Sequence, residues 1–224
     1  MRDTPDVTIV LAHGAGSTGD AARALLGMQD RADVVALEDR TGDVAVVDAA
    51  IDRAVATHPD CVEVIGISLG AHAAARWASR RIADVRLTLV LPAWTGAPTS
   101  AAQATAASSE DIGRRGISGT LSLLEAQHPG NDVVHLLRRS WPSYDDEQLR
   151  MCLLRASRGR GPTPAELERI TAPVRIVGWH CDAFHPHATG IAWSRYTRAA
   201  RIATAARPRI DLLQQSLASI TWPD

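Results

Sequence analysis

Residues 61–71 read CVEVIGISLGA, and the architecture of the whole chain turns on how this run is built. From Cys61 to Ile67 it is apolar and rich in β-branched residues, which predicts a buried strand, and the overlapping stretch AHAAARWASRR that begins at Ala71 predicts a helix. Between the two, Gly66, Ser68 and Gly70 set the pattern G-x-S-x-G. A serine held so closely between a strand and a helix must occupy a very tight turn. The glycines, having no Cβ, leave room for that turn, so the hydroxyl can stand clear of the end of the sheet while the helix points its free N–H groups at the same place.

Two other stretches extend the pattern. Upstream, VTIVLAHGAGS at 7–17 is an apolar strand running into the small-residue loop His13-Gly14-Ala15-Gly16-Ser17; downstream, APVRIVGWHCDAFHP at 172–186 is a second strand ending beside Asp182. Together with the central run, these resemble the α/β-hydrolase fold, and the resemblance spans nearly the whole chain in the right order. It implies that 66–70 is a nucleophile elbow with Ser68 at its tip. It further implies that the backbone N–H groups of Ala15 and Leu69 form an oxyanion hole, and that Asp182, in a D-x-x-x-P frame with Pro186, is the acid of a catalytic triad. The two leading antiparallel strands of that family have no counterpart here, so the expected sheet is reduced to about six strands.

The remaining elements follow from periodicity. A short helix is expected at Asp20–Met28, a strand at Asp33–Leu37 and a helix at Asp43–His58, whose apolar residues Val44, Val47, Ala50, Ile51, Ala54 and Val55 repeat at 3.6. Alternating strands and helices predict an α/β fold with a doubly wound, mostly parallel sheet. Val85–Leu91 is the next strand and has no acid at its end, Pro173–Trp179 the penultimate one, and Ala200–Ala203 a short last one, with helices at Pro186–Tyr196 and Ile210–Ile220. Between Gly96 and Ile170 no strand pattern occurs, only helical stretches broken at Gly116, Pro129-Gly130, Pro142 and Gly159–Pro164. The expected organisation is a core made of 1–95 and 171–224, with 96–170 inserted as a helical cap over the serine. Leu121, Leu123, Leu124, Val134, Leu136, Leu137, Trp141, Met151, Leu153 and Leu154 of this insertion could line an apolar pocket or simply pack its helices together. Its arginines (114, 115, 138, 139, 150, 155, 158 and 160) could meet an anionic, carrier-linked substrate or face solvent.

A serine hydroxyl needs a base. The family places its histidine after the last strand, where this chain reads TAARPRIDLLQQ, and no histidine occurs after His187. His185 is the favoured base, since it follows Asp182 by three residues and could fold back between the carboxylate and Ser68. His187 and His13 are secondary candidates, and a chain with no working base stays open. His72, four residues past Ser68, is expected to pack beneath the turn, and His58, His128 and His135 to lie on the surface or in the insertion. The cluster His180, Cys181, Asp182, His185 and His187 contains only metal-ligating types, but its spacing fits no metal motif, and neither a metal nor a cofactor is expected.

Composition narrows the chemistry. The chain of 224 residues carries a net charge of −1 with acids and bases interspersed, which favours a small-molecule acyl substrate, carrier-linked or free, over nucleic acid or a membrane surface. All 24 basic residues are arginine, so Schiff-base chemistry, a Walker lysine and a Ser-Lys dyad are excluded. Three widely spaced cysteines suggest neither a disulfide framework nor a zinc ribbon, and the N-terminus passes quickly into a core strand, so a cytoplasmic location without a leader is expected. The function these features point to is hydrolysis of an ester, thioester or lactone through an acyl-enzyme on Ser68. Acyl transfer, cyclisation or elimination on the same fold, or ligand binding by an inactive relative, are the alternatives. Oligomeric state is not legible.

Overall fold

The computed structural model describes residues 8–81, 85–182 and 184–223; Val7, the first residue of the expected first strand, lies outside them. The strands are β1 (Thr8–Ala12), β2 (Val34–Leu37), β3 (Cys61–Ile67), β4 (Arg86–Val90), β5 (Val174–Trp179) and β6 (Ala200–Ala205). They form one sheet in the order β2-β1-β3-β4-β5-β6, with every neighbouring pair parallel. Parallel neighbours need crossover connections. These are supplied by α1 (Gly19–Leu26), α2 (Val44–Thr57), α3 (Leu69–Ala78) and α8 (His187–Tyr196), with α9 (Ile210–Ser219) closing the chain.

The helices cover both faces. Val44, Val47 and Ile51 of α2, Trp77 of α3 and Trp193 of α8 share one core with Val64, Leu87, Leu89 and Ile176 of the sheet. On the other side, Ala22, Leu25 and Leu26 of α1 and Leu213 and Leu217 of α9 pack on Leu11, Ile65, Ile67 and Val177. The fold is therefore doubly wound, as expected from the alternation of elements. Register brings the business ends together: Ala12 pairs with Gly66, Ile67 with Val90, and Val90 with Val177, so the loops after β1, β3, β4 and β5 leave the sheet at one level. The last strand runs two residues beyond the expected Ala203, because pairing with β5 continues to Trp179 opposite Ala205.

Between β4 and β5 lie α4 (Ser100–Gln127), α5 (Asp132–Ser140), a 3-10 turn at Trp141–Ser143, α6 (Asp146–Arg158) and the short α7 (Pro164–Glu168). The expected break at Gly116 is a kink inside α4, with Gly116 at φ 71°, ψ 175°. The backbone groups freed there are taken up again: the Ile117 N–H donates to Asp146 Oδ1 of α6 at 3.0 Å, and Thr120 Oγ1 donates to the Gly116 carbonyl at 2.8 Å. Ile112, Ile117, Leu121, Leu124, Val134, Trp141, Leu149 and Leu153 form a core of their own. Two contacts seat these helices on the loop after β1. Tyr144 Oη donates to the Ser17 carbonyl at 2.8 Å, and a Cβ added at Gly16 would meet Leu149, Trp141 Nε1 and Leu153 at 3.0–3.3 Å.

Candidate active site

The turn between β3 and α3 is as tight as the glycine pattern demands. Ser68 stands at φ 53°, ψ −110°, a region that L-residues rarely occupy. A Cβ on Gly66 would come within 2.4 Å of the Gly70 carbonyl oxygen, and one on Gly70 within 2.1 Å of the Ala12 carbonyl oxygen. Only glycine lets α3 start so close to both strands. The Ser68 N–H donates to the Val90 carbonyl at 2.9 Å, which ties the turn to β4.

The Ser68 hydroxyl meets an imidazole. His185 Nε2 lies 3.0 Å from Ser68 Oγ, and His185 Nδ1 lies 2.7 Å from Asp182 Oδ2. An ionised carboxylate can only accept, so Nδ1 carries the proton and Nε2 is left to accept from the serine hydroxyl. Asp182 Oδ1 accepts from the Phe184 N–H at 2.9 Å, which fixes the carboxylate at the end of β5. Its side chain is 4 % exposed and that of His185 13 %. Burial alone pushes the Asp182 carboxyl up, but the charge and hydrogen bond of His185, with the Phe184 and His185 amides, outweigh it and hold the group below the usual carboxylate range.

The loop after β1 presses on the same hydroxyl. A Cβ on Gly14 would lie 3.2 Å from Ser68 Cβ and 3.7 Å from its Oγ. Ala15 and Leu69 both line the cavity that opens at Ser68, and among the described residues neither of their N–H groups donates to another protein group. Two unspent donors beside a hydroxyl backed by an imidazole can stabilise negative charge on an oxygen.

The other histidines are placed elsewhere. His13 is buried, its Nδ1–H donating to the Gly14 carbonyl at 2.8 Å and its Nε2 accepting from the Asp39 N–H at 3.1 Å, so both nitrogens are engaged in shaping the loop. His187 Nε2 lies 3.0 Å from Thr204 Oγ1, and its ring neighbours His180. His72 is fully buried beneath the turn, accepting from the Ala93 and Trp94 N–H groups at 3.2 and 3.4 Å, and burial pushes its pKa down to about 3. His128, expected on the surface or in the insertion, lines the cavity against Phe184. The 180–187 cluster does not converge: among the described residues no three His, Cys, Asp or Glu side chains are placed to hold a metal.

The cavity, about 160 Å³, reaches from Ser68 and His185 beneath α4, α5 and α6. Of the insertion residues singled out from sequence, Leu124, Val134, Leu136, Leu137, Trp141 and Leu153 line it. Leu25 of α1, Leu91 after β4, Val133 and Trp179 were not anticipated. Periodicity marks such residues only as buried, and Leu91 reaches the wall through a second strained turn, at φ 55°.

No protein-family model matches the chain and no curated protein matches it. Solved structures do. MenH from S. aureus superposes with a TM-score of 0.73 at 15% identity, covering 97% of this chain and 92% of that one. The enol-lactonase from Burkholderia xenovorans LB400 gives 0.71 at 14% identity, with coverage of 97% and 90%. A structure from a study of carboxylesterases of Nitrososphaera gargenis gives 0.75 at 11% identity, with coverage of 96% and 88%. The chain has the α/β-hydrolase fold. Within it, the contact between Ser68 and His185 is made from the loop after β5, because the loop after β6, where the family resemblance placed the histidine, carries Ala206 and Arg207.

Proposed function

We propose that the protein is a serine hydrolase that cleaves a carboxylic ester, thioester or lactone. The observation that carries this reading is the continuous hydrogen-bonded line from Asp182 through His185 to Ser68. In the first half-reaction Ser68 Oγ attacks the acyl carbonyl carbon and its proton passes to His185 Nε2. The carbonyl oxygen becomes an oxyanion held by the Ala15 and Leu69 N–H groups. The bond to the leaving group then breaks, the leaving oxygen or sulfur takes the proton from His185, and an acyl ester remains on Ser68. In the second half-reaction water attacks this ester, His185 accepts a proton from the water, and the acid departs as Ser68 is reprotonated. Asp182 holds the imidazole in the required tautomer and stabilises its charged form.

The helices of 96–170 act in this reading as a cap, since α4, α5 and α6 roof the cavity above the serine. A lactonase and carboxylesterases among the structural neighbours support a hydrolytic chemistry for the fold. Transfer, cyclisation, elimination and passive binding are the alternatives; His185 supplies an imidazole at the distance a base requires, which supports a working nucleophile, and the fate of solvent oxygen separates hydrolysis from transfer. A fluorophosphonate probe should label the protein at Ser68 and not the Ser68→Ala variant, and ester cleavage in ¹⁸O-labelled water should place the label in the acid. No labelling at saturating probe, or product acid free of solvent oxygen, would sink the assignment.

A further inference from the structure

The walls of the cavity say what kind of acyl group fits it. Apart from the site residues, the lining is built largely from apolar side chains such as Leu25, Leu124, Val134, Leu136, Leu137 and Leu153, and among the described residues it includes no aspartate, glutamate or arginine. Several of the polar side chains that reach it are engaged within the protein, while His128 packs its ring against Phe184. Thr105 Oγ1 donates to the Ala101 carbonyl at 3.3 Å and Ser108 Oγ to the Ala104 carbonyl at 3.2 Å, both within α4, while Asn131 Oδ1 accepts from the Val133 N–H at 2.8 Å. Many of the arginines that could have met an anionic substrate face acids outside the cavity: Arg114 and Arg115 pair with Asp111, Arg138 with Glu125 and Arg150 with Glu147. A carboxylate or phosphate drawn into this space would lose its hydration and meet no arginine to offset that loss.

We propose that the acyl subsite takes an uncharged, apolar acyl group of medium length and rejects one bearing an anionic end. A space of about 160 Å³ holds roughly a dozen water-sized positions, which suits a chain or ring larger than acetyl. Any anionic portion of a substrate, a carrier included, stays outside the cavity on the leaving-group side. This inference rests on the hydrolase reading for its catalytic test and on the cavity alone for its binding test.

Two p-nitrophenyl esters of matched shape separate the possibilities: the 6-methylheptanoate, and the monoester of adipic acid, in which a carboxylate replaces the terminal isopropyl group. The neutral ester should exceed the charged one by about a hundredfold or more in kcat/KM, and turnover should rise from acetate to octanoate. Leu137→Arg, with Leu136→Arg as a second variant should the first fail to fold, should narrow the gap between the two esters by tenfold or more. In parallel, the Ser68→Ala protein is titrated with 6-methylheptanamide and with adipic acid monoamide, neither of which needs catalysis. The neutral amide should raise the melting temperature and perturb the fluorescence of Trp94, Trp141 and Trp179, and the charged one should do neither. Comparable turnover of both esters, or equal stabilisation by both amides, overturns the inference and leaves the hydrolase reading intact. Cleavage of neither ester alongside selective binding of the neutral amide does the reverse.

Discussion

Ser68 occupies a backbone conformation of the kind that costs on the order of 1–3 kcal/mol and persists where the surroundings over-determine it. Here they do: Gly66 and Gly70 abut backbone carbonyls, the Ser68 N–H is tied to β4, and α3 begins at the next residue. The side chain is thereby held 3.0 Å from His185, whose other nitrogen is engaged by Asp182. Asp182→Asn should leave the fold intact but lower kcat by three to four orders of magnitude, because an amide in that place can favour the wrong imidazole tautomer. Steady-state kinetics on an activated ester, with circular dichroism to verify folding, checks this; a loss under tenfold would remove Asp182 from the relay. His185 follows Asp182 by three positions, which makes it a candidate from sequence. His13, His187 and the absence of any base stayed open beside it, because a loop's path is set by packing that local pattern does not encode.

Among the elements, α3 approaches the strands closely at its start, and the helices between β4 and β5 are seated on the loop after β1. Gly70→Ala would drive a methyl to within 2.1 Å of the Ala12 carbonyl oxygen, backbone against backbone. It should destabilise the protein by about 3 kcal/mol or more, whereas Gly178→Ala in β5, where a Cβ meets nothing within 4 Å, should stay within about 0.5 kcal/mol of wild type. Urea denaturation of the two variants measures the difference. Two fully buried tryptophans offer a second comparison. Trp77 Nε1 donates to Asp52 Oδ1 at 3.0 Å, while Trp141 Nε1, seated over Gly16, has no partner among the described residues. Trp77→Phe should therefore cost about 0.5–1 kcal/mol more than Trp141→Phe, since it alone loses a hydrogen bond, while the half-exposed Asp52 carboxylate keeps Arg81 as a partner. Equal losses in thermal denaturation would show that the Trp141 N–H is satisfied. The insertion's helices were legible from their breaks at Gly116, Pro129 and Pro142. The fact that α4 turns at Gly116 and runs on was not, because Asp146 of a different helix supplies the cap.

At the scale of the whole molecule, acid stability is set partly by His72, far from the solvent and beneath Ser68. Burial, helped by the neighbouring charges of His185 and Arg76, depresses its pKa to about 3 in the folded protein, against about 6.5 in the unfolded chain. The unfolded state thus binds the extra proton between those values, so the stabilising contribution is complete above pH 6.5 and is lost as pH falls toward 3. From this group alone, stability should fall by about 2 kcal/mol between pH 6.5 and pH 5. His72→Gln, which keeps an acceptor for the Ala93 and Trp94 amides, should flatten that limb in urea titrations at a series of pH values. An unchanged slope would mean that His72 is not buried in neutral form. No helix among the described residues is long and apolar enough to cross a membrane.

The sequence by itself determined what covalent chemistry and local sterics dictate: a strand, a turn that only glycines permit, a helix, and the alternation that winds a parallel sheet. These are legible because they depend on residues close together along the chain. Tertiary structure alone decided which imidazole reaches the hydroxyl 117 positions away, and which leucines of the insertion face a cavity and not merely one another. Both depend on how loops from separate strands converge where β1, β3, β4 and β5 end, and a hydrophobic pattern records that a side chain is buried without recording what it is buried against.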